Sequence, residues 1–161
     1  MAQQLNIVDC KDAILALLSA TLPVSYGQPV DVREIGGKDF DENGQLVLKK
    51  VAVRVRFGQA AYADARDISL TTLSASLYYQ VVCRHESLRS NTEARDRSLA
   101  LTAVVMDQLA GARLQLPDGT KAVPIAIRSV LQAMDGLGPV EDCYAITIEI
   151  SGTAQFSGVN A

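Results

Sequence analysis

Apolar residues recur along this chain with two periods, and the order in which those periods appear sketches the fold. Ile14, Leu15, Leu17, Leu18 and Leu22 stand at helical spacing. Asp9 precedes them as a candidate N-cap, Asp12 suits the first turn, and Pro23 ends the pattern, which predicts a helix over residues 10–21. Residues 24–45 are rich in turn signals: Tyr26-Gly27, Gln28-Pro29, Gly36-Gly37 and Asn43-Gly44. Within them Val30 to Ile35 reads as a short strand. Lys38 to Gly44 reads as a solvated loop or hairpin tip, because five acids stand against two bases between Asp31 and Glu42.

The period then changes to two. Val51, Val53, Val55 and Phe57 alternate with Ala52, Arg54 and Arg56, a half-buried strand. Leu46 and Leu48 hold the opposite parity, so a kink or bulge is expected at Lys49-Lys50. Residues 59–67 read as a connection. The longest strand signal follows, with Leu73, Ala75, Leu77, Tyr79, Val81 and Cys83 on one face and Ser74, Ser76, Tyr78, Gln80 and Val82 on the other. Ser90-Asn91-Thr92-Glu93 has the form of a capping box and opens a helix over residues 91–110, closed by Gly111. Leu99, Ala103, Met106 and Ala110 share one side of it, and Leu101, Val104 and Val105 widen that stripe. After a Pro-Asp-Gly turn, Val123, Ile125 and Ile127 form a short strand that Pro124 confines to an edge. The segment 136–139 is a loop. Tyr144, Ile146, Ile148 and Ile150 then alternate with Thr147, Glu149 and Ser151 in a last strand, and residues from Gly152 onward are small and polar and expected to be loose.

Strands arrive in runs rather than in alternation with helices. The expected class is therefore α+β, a single domain over residues 1–152 with a flexible tail at 153–161. Its sheet is mostly antiparallel, of about four to five strands, with two main helices packed on one face in the order α-β-β-β-α-β-β.

Composition narrows the function. The 161 residues are 48% hydrophobic and 20% charged, ordinary globular usage for one domain. Fifteen Lys and Arg against eighteen Asp and Glu give a net charge of −3, which argues against dedicated or sequence-specific nucleic-acid binding. The absence of Trp and 5% aromatics argue against stacking platforms. The N-terminus lacks the basic region of a signal peptide, and the uncharged stretch 13–30 is too short and broken for a membrane span. Cys10, Cys83 and Cys143 form no C-x-x-C pair and read as buried apolar residues in a reducing compartment.

No phosphate loop, dinucleotide fingerprint or nucleophile elbow occurs, and no metal or cofactor is expected. His85 is the sole histidine. It stands two residues after Cys83, so a Cys–His nucleophile pair is the one enzymatic reading, against a surface histidine at a strand end. Arg84, Arg89, Arg95 and Arg97 gather with Glu86, Glu93 and Asp96 where the long strand gives way to the second helix. They read as ion pairs, a phosphate site at a helix N-terminus, or an inter-subunit contact.

Three places together resemble the tail terminator proteins of Mu-like, contractile-tailed bacteriophages and related phage-derived tail particles. The first is the N-terminal helix followed by a Pro/Gly-rich loop. The second is the strand Leu77-Tyr78-Tyr79-Gln80-Val81-Val82-Cys83-Arg84, leading through Ser87-Leu88-Arg89 into the helix that begins Glu93-Ala94-Arg95. The third is the closing strand from Asp142 to Ile150. The resemblance implies a non-enzymatic structural protein: a homo-oligomeric ring, usually a hexamer, on the head-proximal end of the tail tube. Such a ring stops tube growth and gives the neck its docking face, with tube, sheath and neck or connector proteins as partners. It implies a place in the virion tail, assembly in the bacterial host cytoplasm, no membrane, and passive passage of DNA through the ring. Tyr78, Val82, Arg84, Arg89, Arg95 and Arg97 are then the expected subunit or tube contacts. A neck or head-closure protein, another minor tail protein, or a generic cytosolic α+β interaction domain are the alternatives.

Overall fold

The computed structural model describes residues 5–62, 72–117, 119 and 121–155. Its elements are α1 (Ile7–Ser25), β1 (Asp31–Glu34), a 3-10 turn (Gly37–Asp39), β2 (Val51–Tyr62), β3 (Thr72–His85), α2 (Asn91–Leu109), β4 (Ala126–Asp135) and β5 (Gly138–Gln155). They form one α+β domain in the expected order. The five strands make a single sheet in the order β1-β2-β3-β5-β4. Only β1 runs parallel to its neighbour, β2; the other pairings are antiparallel.

α1 starts earlier than its apolar pattern. Asn6, not Asp9, is the N-cap, its side chain accepting from the amides of Val8 at 2.9 Å and Asp9 at 3.1 Å. Pro23 does not stop it. A proline in the last turn forfeits one bond, and the helix still closes through the Tyr26 amide on the Leu22 carbonyl at 2.8 Å. Cys10, Ile14, Leu18 and Leu22, one turn apart, are its buried seam.

Ser90 caps α2 as expected, its Oγ accepting from the Glu93 amide at 3.1 Å, but the Glu93 carboxylate turns to Arg97 at 2.6 Å; Gly111 takes the left-handed conformation (φ 71°) just past the end. The buried face differs from the expected stripe. It consists of Ala94, Ser98, Leu101, Thr102, Val105 and Leu109, while Leu99, Ala103 and Ala110 face outward. Two polar residues hold interior positions because each has a partner. The Ser98 hydroxyl accepts the His85 amide at 2.8 Å, and the Thr102 hydroxyl donates to the Ser98 carbonyl at 2.7 Å.

Both helices lie on one face of the sheet, α1 over β1 and β2, α2 over β3 and β5. Beneath them Val53, Val55, Leu77, Tyr79, Val81, Cys83, Ile146, Ile148 and Ile150 join the helical seams in the main core. The parity read for β3 and β5 is the parity that is buried. β2 runs past Phe57 to Tyr62, through residues expected to be a connection, by inserting Gly58 as a bulge. The rest of that expected connection, residues 63–67, lies outside the described residues. β5 continues to Gln155, three residues past the expected end of the domain, by pairing with Thr72 to Ala75 of β3; residues 156–161 lie outside the described residues.

The fourth strand departs most from expectation. Pro124 and Ile125 precede it, and the strand itself covers 126–135, with irregularities at Arg128 and Ala133. It is an edge strand, as Pro124 suggested, and the Gly136-Leu137 turn joins it to β5.

Candidate interaction surfaces

The back face of the sheet, away from the helices, is covered over only part of its area. Its cover is a strap, residues 35–50, that leaves β1, crosses the sheet and returns to β2. Leu46 and Leu48 on the strap pack with Ala52, Val82, Ala133, Cys143 and Ala145, flanked by Ile35, Phe40 and Val140. The segment read as a solvated acidic loop is thus partly interior. Asp39 is buried because it meets Arg54: the guanidinium Nε donates to Asp39 Oδ1 at 2.9 Å, Nη2 to Asp31 Oδ2 at 2.9 Å, and Nη1 to the carbonyls of Asp31 and Val53. Asp31 is pulled upward by burial, but the bonds from Arg33 and Arg54 outweigh this and leave it below the usual carboxylate value. The strap's turn is anchored by Asp135, whose Oδ2 accepts the Leu46 amide at 2.9 Å. That amide, with those of Leu137 and Gly138, holds the Asp135 carboxyl below its ordinary value. The kink expected at Lys49-Lys50 is present: Lys50 has φ 57°, held by its amide on Glu86 Oε2 and its carbonyl on the Glu86 amide, both at 2.8 Å.

The expected contact residues fall in three different environments. Val82 is 1% exposed under Leu46 and Leu48 of its own chain, so the folded subunit does not present it; the moderately polar look of its strand face hid the strap above it. Arg84 is also spent within the subunit, donating to Asp142 Oδ2 at 2.8 and 3.1 Å and to the Leu48 carbonyl. Tyr78 is half-buried on the uncovered part of the back face, in a shallow depression with Gly58, Gln59, Gln80 and Thr147. Arg56 Nε donates to Gln80 Oε1 beside it at 2.6 Å.

Around the first turns of α2, Arg97 pairs with Glu93 at 2.6 Å, Arg89 lies 3.9 Å from the same carboxylate, and Arg95 is exposed without an ion pair among the described residues. These arginines do not converge on one point with Arg84. Ion pairing, rather than an anion cradle, is what the geometry provides at this helix start.

Cys83 and His85 do share the helix-facing side of β3, but they do not form an activated pair. Burial pushes the Cys83 thiol well above its ordinary value, the opposite of what a nucleophile needs. Cys10 is likewise raised to about 11 and Cys143 to about 12, burial being the main cause in each. His85 is buried rather than a surface histidine, and its Nδ1 lies 2.6 Å from the Tyr26 hydroxyl at the end of α1. Burial, then the Arg97 charge, lower its pKa, with Glu93 acting the other way. Among the described residues, no group of His, Cys, Asp and Glu is placed to hold a metal ion, and no helix is long and apolar enough to cross a membrane.

Two features escaped the sequence reading. Lys38, Lys49 and Lys50 are exposed around the root of the strap, where Arg33 and Arg54 also stand. At the opposite edge of the sheet the β4–β5 hairpin exposes Leu131 (65%), Met134 (52%) and Leu137 (69%). Run-on apolar residues at 130, 131, 134 and 137 were the available signal, but they follow neither period.

No family model matches this chain, and no curated protein does. Among solved structures the chain is similar to one described as a virion of the native gene transfer agent (GTA) particle. The identity is 18%, the match covers 92% of this chain and 96% of that one, and the TM-score is 0.54. At that identity the likeness is one of fold, carried over almost the full length of both chains.

Proposed function

We propose that this chain is a structural, non-enzymatic virion protein, a tail terminator that forms a ring on the head-proximal end of a tail tube. The observation that carries the reading is the near-complete two-way coverage of its fold by a chain of a virion particle. The buried, protonated thiols and the engaged histidine agree with a protein that does no covalent chemistry. The ring is a homohexamer; it stops tube polymerisation, meets tube and sheath on one side and the neck on the other, and lets DNA pass passively. Such a protein works in the virion tail after assembly in the host cytoplasm.

On this reading the uncovered back face around Tyr78, with the exposed Arg89 and Arg95 and the half-buried Arg97, makes subunit or tube contacts. Tyr78→Asp is then expected to weaken ring assembly or tube binding while leaving the unfolding transition unchanged; normal assembly by that variant removes Tyr78 from the interface. The reading as a whole is tested by native mass from light scattering, with tail tubes added in a second arm. A discrete species near six times the 17.2 kDa chain that caps one end of the tubes is expected. A chain that neither oligomerises nor binds tubes overturns it, and binding only to isolated necks moves the assignment to a head-closure protein.

A further inference from the structure

We propose that copies of this chain join head to tail through the strap, the basic cleft at its root on one copy receiving the acidic cleft at its tip on the next. That the occupant is a second copy rests on the ring reading above and on the charge complementarity of the two clefts.

The root cleft, about 230 Å³, is lined by Arg33, Lys38, Lys49, Lys50 and Arg54 with Asp31 and Asp39. Glu86 sits against the Lys50 amide. Asp39 and Asp31 are consumed by Arg54 and Arg33. Lys38, Lys49 and Lys50 therefore stand exposed, with no ion pair among the described residues.

The tip cleft, about 420 Å³, has the opposite character. Asp135, Glu141 and Asp142 line it against one cation, Arg84, which is committed to Asp142. Asp41 and Glu42 lie exposed in the strap's turn beside it: the Asp41 amide bonds to Gln45, which lines the cleft, and Gly44 approaches Gly136. The two clefts flank the strap and share Val47 as a wall, the root opening toward β1 and β2, the tip toward the β4–β5 hairpin.

A contact between two different patches is heterologous. Repeated, it gives a ring where the rotation closes and a filament where it does not. The exposed Leu131, Met134 and Leu137 at the tip supply apolar area that lysine stems from the facing root can cover. The two edges of the sheet are unlike in the same sense. β1 is four residues long and three of them are charged, which blunts it, whereas β4 is ten residues long and exposes Val130, Leu131 and Met134 beside Arg128 and Gln132. A nucleic-acid strand would be drawn to the root alone and repelled by the tip, and the net charge of −3 adds to that repulsion.

The test is a charge swap on the full chain. One variant carries Lys38→Glu, Lys49→Glu and Lys50→Glu; the other carries Asp41→Lys, Glu42→Lys and Glu141→Lys. All six positions are exposed, and a thermal melt matching wild type shows that each variant folds. The wild-type chain is expected to assemble at low salt and to dissociate as salt rises. Each variant alone is expected to need at least about tenfold more protein to assemble, since like charges then face each other. An equimolar mixture is expected to recover assembly, because each reversed cleft finds its complement on the other variant.

Variants that assemble as wild type does overturn this interface and leave the ring reading standing. A mixture that fails to recover overturns the pairing of the two clefts. A wild-type chain that stays monomeric at every concentration overturns the self-contact, while capping of tail tubes decides the ring reading separately. Binding of duplex DNA that is lost in the lysine variant, with assembly unchanged, overturns the proposal in favour of a nucleic-acid site.

Discussion

The two faces of this sheet are covered by different means. On the helix side two regular elements bring seams of apolar residues against alternating strands, and more than twenty buried side chains form a continuous core. On the other side an irregular strap brings two buried leucines with Ile35 and Phe40 partly buried beside them, and it is pinned by polar contacts: Arg54 to Asp39, Asp135 to the Leu46 amide, Glu86 to the Lys50 amide. Apolar burial is additive and non-directional, whereas each polar anchor depends on one geometry. The helix side should therefore set the global stability, and the strap should behave as a separate, weaker unit.

The sharpest way to break that comparison is Leu101→Ala, which empties a fully buried position under α2. Urea denaturation should show a global loss of about 2–5 kcal/mol. Asp39→Asn removes the charge opposite the buried Arg54 and should cost about 1–3 kcal/mol. Its effect should fall on the strap, read as faster amide exchange at Val47, whose amide bonds to the Asp39 carbonyl, with little change in exchange at Val81 or Ile148. Equal acceleration everywhere would mean that the two covers unfold as one. Ser90→Ala, which removes the α2 cap, should lower stability by about 1 kcal/mol.

The smallest effect separates the covers by pH. His85 titrates in the folded state below its ordinary value of 6.5, so the unfolded chain binds its proton first. Stability from its junction with Tyr26 is complete above pH 6.5 and declines as the pH falls below it. Asp135 and Asp31, both lowered from an ordinary 3.8, hold the strap until the pH drops through that range and below. Acid titration should thus perturb the Tyr26 ring signal first and strap amides later, and His85→Gln should abolish the first step alone.

How much of this was legible depends on whether a residue's neighbours are near it in sequence. β3 and β5 were readable because period-two alternation records which face is buried, and the Ser90 cap because its partner lies three residues away. On α2 the buried face was read as displaced, sharing only Leu101 and Val105 with the one observed, because Ser98 and Thr102, polar by type, occupy the interior through bonds to β3 and to the helix itself. β4 was placed too early and read too short because irregularities at Arg128 and Ala133 break its period. The strap was read as solvent-facing because the partner that makes Asp39 an interior residue is fifteen positions away. The same holds for the candidate surface. Tyr78 and the α2 arginines were visible as types, but Val82 was claimed by a loop whose path no local pattern records, and Arg84 by that loop together with Asp142 of β5, 58 positions away.

Gly58 has a bearing on insertions and deletions. A side chain there would come within 3.1 Å of the Tyr78 carbonyl, so the extra residue tolerates little else. Before it, odd-numbered residues of β2 point toward the helices; after it, Ala60 and Tyr62 do. Deleting this one residue would let Phe57 run straight into Gln59, so the alternation would continue unbroken, with Ala60 and Tyr62 still on the helix side and Gln59 and Ala61 still on the open face, and only the local kink lost. Among homologous sequences, a gap at this position would therefore mark a straightened strand with the same residues facing the core, rather than a shortened loop.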